Sequence, residues 1–128
     1  MAIILIGGSG FVGSRFNADF RNLNVKIFDK INKDLGHNYC DITIPKTLKN
    51  TISSNDTVVL LAAEHRDDVT PISLYYKTNV EGTENVLKEM DRVGCKKIIF
   101  TSSVAVYGLN KNNPNEKSSV DPFNHYGK

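Results

Sequence analysis

The alternation of apolar runs with helical periods predicts a three-layer α/β fold, a doubly wound parallel sheet with helices on both faces. Three observations carry that reading. Short runs rich in Ile, Val and Leu recur between amphipathic stretches, the order expected of right-handed βαβ units. The first run breaks into a glycine-rich turn between Gly7 and Gly13. No repeat or low-complexity stretch interrupts the alternation over 128 residues, a length that suits one domain.

Residues 2–6 form a short apolar run that suits a strand buried on both faces. Phe11, Val12, Phe16 and Phe20 then recur at helical spacing and predict a helix over 11–23. Residues 25–28 read as the second strand, ending at Asp29. A weak strand is expected near 38–40, followed by a poorly marked helix over 45–52. The run TVVLLAA at 57–63 is the clearest strand, β-branched and apolar throughout. In the next helix Thr70 suits the cap, Pro71 the first helical position and Gly94 the end. Its predicted buried stripe is Ile72, Tyr76, Val80, Leu87 and Met90. Gly82 interrupts that helix at a cost of roughly 1 kcal/mol against alanine, which points to close packing there. The fifth strand is KKIIFT at 96–101, and a polar loop without periodicity follows Gly108.

Composition excludes several classes. A net charge of +2 without any basic block gives no reason to expect nucleic acid. No apolar run reaches 18 residues, so no transmembrane helix is expected. The start MAIILIGGSG has no basic leader before its glycines, and no signal peptide is expected. Cys40 and Cys95 lack metal-ligand spacing and read as free thiols, which suits a cytoplasmic protein. His37, His65 and His125 share no ligand spacing, so no metal is predicted.

Gly7, Gly10 and Gly13 make the pattern GxxGxxG between a strand and a helix. The first glycine permits a tight turn, the second lets backbone approach a pyrophosphate, and the third lets helix pack on sheet. Free N–H groups at the helix start would face the phosphates. Asp29, ending the second strand, is placed to accept hydrogen bonds from the adenosine ribose hydroxyls. The cofactor expected is NAD, because this carboxylate would repel a 2′-phosphate; Lys30 and Lys33 soften that repulsion, so NADP is less favoured but kept. The turn has no GK[ST] and is not a P-loop.

Motif order extends the reading. GGSGFVG, Asp29, CDIT, LLAA, YYKTNVEGTENVL, IIFTSSVAVYG and HYGK together resemble the extended short-chain dehydrogenase/reductase family. More closely, the sequence is similar to the NAD-dependent epimerases and dehydratases that act on nucleotide sugars. The resemblance covers residues 1–128 and implies a Rossmann fold. It implies that backbone at Phe11 and Val12 holds the pyrophosphate and that Asp41 and Ile42 contact the adenine. Leu61, Ala62 and Ala63 would wall the cofactor, and Asn79 would tie the helix to the fourth strand beside the active site. The catalytic serine falls on Ser103 and the catalytic tyrosine on Tyr126.

The lysine of the family's YxxxK pair would fall at position 130, beyond the last residue of this sequence. A tyrosine phenol is almost wholly protonated at neutral pH, and that lysine normally helps ionise it. The expectation is an NAD-binding domain over 1–128, incomplete at its C-terminal end, with the substrate-binding portion absent. Such a fragment would be inactive alone. Val104 and Ala105 stand where sugar 4,6-dehydratases carry an acid–base pair, so epimerase or reductase chemistry is favoured. The resemblance implies a nucleotide-sugar substrate and leaves a homodimer open. The alternative is a non-catalytic NAD(P)-binding sensor or interaction module. A methyltransferase on a similar fold would explain the glycine turn and Asp29 but not SSVAVYG or HYGK.

Overall fold

In the computed structural model, which describes residues 1–31 and 37–128, a parallel sheet of order β3-β2-β1-β4-β5 forms the middle layer. Its strands are β1 (Ile3–Ile6), β2 (Val25–Asp29), β3 (Asn38–Tyr39), β4 (Thr57–Leu60) and β5 (Lys97–Phe100). β1 lies at the centre, in register with β2 from Ile3↔Val25 and with β4 from Ile3↔Thr57. The order reverses between β1 and β4, and the crevice at that switch point is where open α/β sheets hold ligands.

Two cores explain the two helical layers. On one face Leu5, Ile27 and Val59 pack with Phe16 of α1 (Phe11–Asp19). On the other, Ile4, Ile6, Val58 and Leu60 pack with Val86 and Met90 of α3 (Thr83–Val93). Alternate residues of β1, β2 and β4 feed opposite cores, as strands covered on both faces require.

Several element bounds depart from the sequence expectation. α1 ends at Asp19, and Phe20 closes it by donating its N–H to the Phe16 carbonyl. Phe11 and Val12 are exposed and belong to the cleft, not to the core. The segment at 45–52 contains only a 3₁₀ turn, Pro45–Leu48. There the Thr47 and Thr51 hydroxyls bond the Ile44 and Leu48 carbonyls, the local competition with helix geometry that threonines offer. β4 stops at Leu60 because Leu61 and Ala62 both donate to the Ile6 carbonyl, turning the chain across the end of β1.

The long helix begins at Ser73 with α2 (Ser73–Tyr75), two residues after Pro71, so Thr70 is not its cap. A π-helical stretch, Tyr76–Gly82, joins α2 to α3, and Gly94 caps α3 in the left-handed region. The expected buried stripe is rotated: Ile72, Tyr76, Val80 and Leu87 are exposed, and of those five residues only Met90 is in the core. Ile72 precedes the π stretch and Tyr76 opens it, so the expected stripe marks a second, exposed face of this helix. Tyr75, Gly82 and Val86 are buried instead. Gly82 leaves room for Ile42, whose Cδ1 would lie 2.7 Å from an added Cβ.

Candidate active site and cofactor cleft

A cavity of about 710 Å³ opens along the carboxyl ends of β1, β2 and β4. At its centre the turn after β1 is forced by packing. Gly7 sits at φ 83°, and a Cβ there would lie 2.6 Å from the Ala62 Cα. Gly13 packs so closely on the turn that its Cβ would lie 2.5 Å from the Gly8 Cα. Gly10 is exposed at the start of α1, and Phe11, Val12 and Gly13 of that helix's first turn line the cavity.

Asp29 stands beside the turn. Its Oδ2 accepts the Ser9 N–H at 3.0 Å and its Oδ1 accepts the Ile31 N–H at 2.9 Å. The carboxylate therefore fixes the turn as well as lining the cavity. Lys30 lines it too, whereas Lys33 lies outside the described residues. Further along, the Asp41 Oδ1 accepts from both the N–H and the hydroxyl of Thr43. Ile42 is held from behind by Asn85, whose Nδ2 donates to its carbonyl at 2.9 Å. Leu61, Ala62 and Ala63 form the opposite wall.

The far end of the cavity holds Tyr126, with Thr101, Ser102, His65, Leu74, Lys77 and Thr78. The Tyr126 and His65 rings meet edge to face, centroids 6.5 Å apart. Ser103 is half-buried and caps the 3₁₀ turn Val104–Tyr107, its Oγ accepting the Ala105 N–H at 3.2 Å. That bond uses an oxygen lone pair and leaves the hydroxyl hydrogen for another acceptor. Asn79 is set behind the cavity. Its amide grips both backbone groups of Glu64, accepting from the N–H at 2.7 Å and donating to the carbonyl at 2.9 Å. Asn79 thus ties the π stretch to the segment that follows β4.

The structure thus lines one cavity with Gly7, Gly10, Phe11, Val12, Gly13, Asp29, Asp41, Ile42, Leu61, Ala62, Ala63 and Tyr126, while Ser103 and Asn79 stand outside its lining. Sequence reasoning missed Leu74, Lys77 and Thr78. Their i, i+3, i+4 spacing was a usable signal, masked by the more apolar stripe beside it. Cys40 also lines the cavity, but burial pushes its thiol up to about 11, which makes it a poor nucleophile. Among the described residues no cluster of three or more His, Cys, Asp or Glu could hold a metal, and no helix is long and apolar enough to cross a membrane.

The chain resembles known proteins in sequence and in fold. A profile of the NAD dependent epimerase/dehydratase family matches residues 3–128. An N-acetyl-α-D-glucosaminyl-diphospho-ditrans,octacis-undecaprenol 4-epimerase from Escherichia coli O157:H7 is 54% identical, across 98% of this chain and 39% of its own. UDP-glucose 4-epimerase 2 of Oryza sativa is 33% identical, across 98% of this chain and 37% of its own. The chain therefore spans about two fifths of the length of these curated relatives. Among solved structures, a short-chain dehydrogenase/reductase superfamily protein from Agrobacterium tumefaciens with bound NAD superposes with TM-score 0.86 at 25% identity, covering 99% of this chain and 41% of that one. A UDP-glucose 4-epimerase crystal structure gives TM-score 0.83 at 28% identity, covering 99% and 43%. Matched from Ile3 through Lys128, with its glycine turn at the switch point of the sheet, the chain belongs to the NAD dependent epimerase/dehydratase family.

Proposed function

We propose that this chain is the NAD-binding part of a 4-epimerase, or a related oxidoreductase, acting on a sugar linked through a diphosphate. One observation carries the reading: a single cavity joins the glycine turn and Asp29 at one end to Tyr126 and Ser102 at the other. The curated relatives are named for a diphospho-undecaprenol sugar and for UDP-glucose, and a hexose on a diphosphate is what those names share. A nucleotide sugar remains the substrate class expected from the motifs.

The residues present fit NAD. A Cβ added at Gly10 meets only the Gly7 carbonyl, at 3.5 Å, so backbone there is open to a pyrophosphate. The α1 N-terminus offers N–H groups to the same charge. Asp29 would hold the ribose hydroxyls, Asp41 and Ile42 the adenine, and the 61–63 wall the remainder of the cofactor. NAD, when bound, supplies a reversible acceptor for two electrons from a sugar carbon.

The chain's own groups would handle the proton. Tyr126 would take it from the sugar hydroxyl as the carbon is oxidised, and Ser103 would donate a hydrogen bond to the same oxygen. Asn79 would hold the β4 end in place beside them. A tyrosine needs a neighbouring cation to ionise near neutral pH, and the family's lysine is not among these residues. The chain alone is therefore read as binding cofactor without turnover. A non-catalytic NAD-binding module would keep the turn and Asp29, but it has no use for a tyrosine set in the cavity.

Free buried thiols at Cys40 and Cys95 support a reducing, cytoplasmic setting. The exposed face Ile72, Tyr76, Val80 and Leu87 supports a homodimer in a longer protein. Calorimetric titration tests the cofactor: NAD should bind at least about tenfold more tightly than NADP, reflecting the Asp29 carboxylate. Equal or tighter NADP binding, or no binding of either, overturns the assignment. Epimerase turnover by the purified 128-residue chain would overturn its inactivity.

A further inference from the structure

Tyr126 is held by its neighbours from two directions. On one side Gly127 packs against the Ser103 turn so closely that a Cβ there would lie 2.6 Å from the Ala105 carbonyl oxygen. On the other side the residues before Tyr126 reach across to the β4 loop and the long helix. The Asn124 Nδ2 donates to Asp67 Oδ1 at 3.0 Å, while its own Oδ1 accepts the Gly127 N–H at 2.8 Å.

His125 makes the remaining contact. Its ring lies 6.1 Å from that of Tyr75 with an interplanar angle of 29°, and 6.1 Å from that of Tyr76 at 72°. Its Nδ1 also lies 3.3 Å from the Tyr76 Oη. Tyr75 is 5% exposed, and its hydroxyl donates to the Arg66 carbonyl. Arg66 and Asp67 follow His65, the residue whose ring faces Tyr126. A closed circuit results: His125 to Tyr75, Tyr75 to Arg66, Asp67 to Asn124. It sets the position of Tyr126 against both the Ser103 turn and the His65 wall.

We propose that His125 is a positioning residue for Tyr126, acting through aromatic contact with Tyr75 and Tyr76 and assisted by the Asn124–Asp67 bond. The proposal rests on the reading of Tyr126 as the proton-transfer residue. An aromatic ring suits this task because two rings in offset or edge-to-face contact fix orientation with few rotatable bonds. The exposed Nδ1 contact adds less, since water competes for it.

The test places 3-fluorotyrosine at position 126 of the 128-residue chain and follows its fluorine resonance with and without NAD. In the unsubstituted chain the resonance should lie away from the free-tyrosine position and should move when NAD enters the cavity. His125→Ala should return it to the free-tyrosine position and abolish the NAD-induced shift. His125→Phe should restore both, and Asn124→Ala should shift it part of the way. An unmoved resonance in His125→Ala, or loss of placement in His125→Phe as complete as in alanine, overturns the proposal. Calorimetry on the same samples separates loss of NAD binding from loss of tyrosine placement. If the unsubstituted chain binds no NAD, the cofactor reading falls, and the NAD-free resonances still decide the role of His125.

Discussion

β1 and β5 are both short apolar strands with parallel partners, yet they live in different surroundings. Ile4, Leu5 and Ile6 of β1 are all 0% exposed, while Ile98, Ile99 and Phe100 of β5 are 37%, 55% and 58% exposed. Pairing with β4 does not separate them, because both strands follow it residue for residue, β5 from Thr57↔Lys97 to Leu60↔Phe100. The difference is cover. β1 is paired on both sides and has a core on each face; β5 is an edge strand. An apolar run marks a strand that gains from burial, but only neighbouring layers supply it.

The largest expected break is at the turn beside β1. Gly13→Val places side-chain atoms where the Gly8 backbone already lies, and should cost about 4 kcal/mol or more in urea unfolding. Next, Leu5→Ala should cost about 3 kcal/mol, as buried large-to-small changes do. Ile99→Ala should cost less than about 0.5 kcal/mol, typical of exposed positions. Equal costs at the two sites would mean that β5 is covered in solution, by a second copy or by rearranged chain. Ile99→Lys should lower the fluorescence of bound anilinonaphthalene sulfonate roughly twofold by breaking the apolar patch, with little change in unfolding midpoint.

The smallest effect concerns the helix that covers β1. Glu89 of α3 is 8% exposed and accepts two bonds from Arg92, at 2.7 and 2.8 Å. The Arg92 guanidinium holds its carboxyl below the usual range, against an opposing push from burial. A depressed folded pKa stabilises the native state at neutral pH, and that stability is lost as pH falls through the folded value. Glu89→Gln should therefore be less stable than the parent at pH 7, with the gap closing in acid. Urea midpoints at the two ends of that range check the sign.

Much of the site was readable from residue types. Gly7, Gly13 and Asp29 have local geometry that residue type predicts: a positive φ, a close backbone contact and a carboxylate at the strand end. Tyr126 was placed by resemblance and lines the same cavity. What was misread depended on where the chain turns. Residues 57–63 look like one strand, but two amides bonding the Ile6 carbonyl end it at Leu60. The helical stripe differs from the expectation because Ile72, Tyr76, Val80 and Leu87 share an exposed apolar face, while Tyr75, Gly82 and Val86 face the core. Leu74, Lys77 and Thr78 were missed for the same reason, since an expected core face drew attention away from the cavity face.

The sequence by itself determined the layering and the position of the glycine turn, because strand periods, glycine spacing and strand-end acids act over a few residues. The tertiary structure alone decided which apolar surfaces are covered, that Asn79 grips Glu64, and that His125 joins Tyr75 and Tyr76 beside Tyr126. Those contacts bring together residues far apart along the chain. No local propensity encodes them; they exist because the sheet sets the distance between its loops.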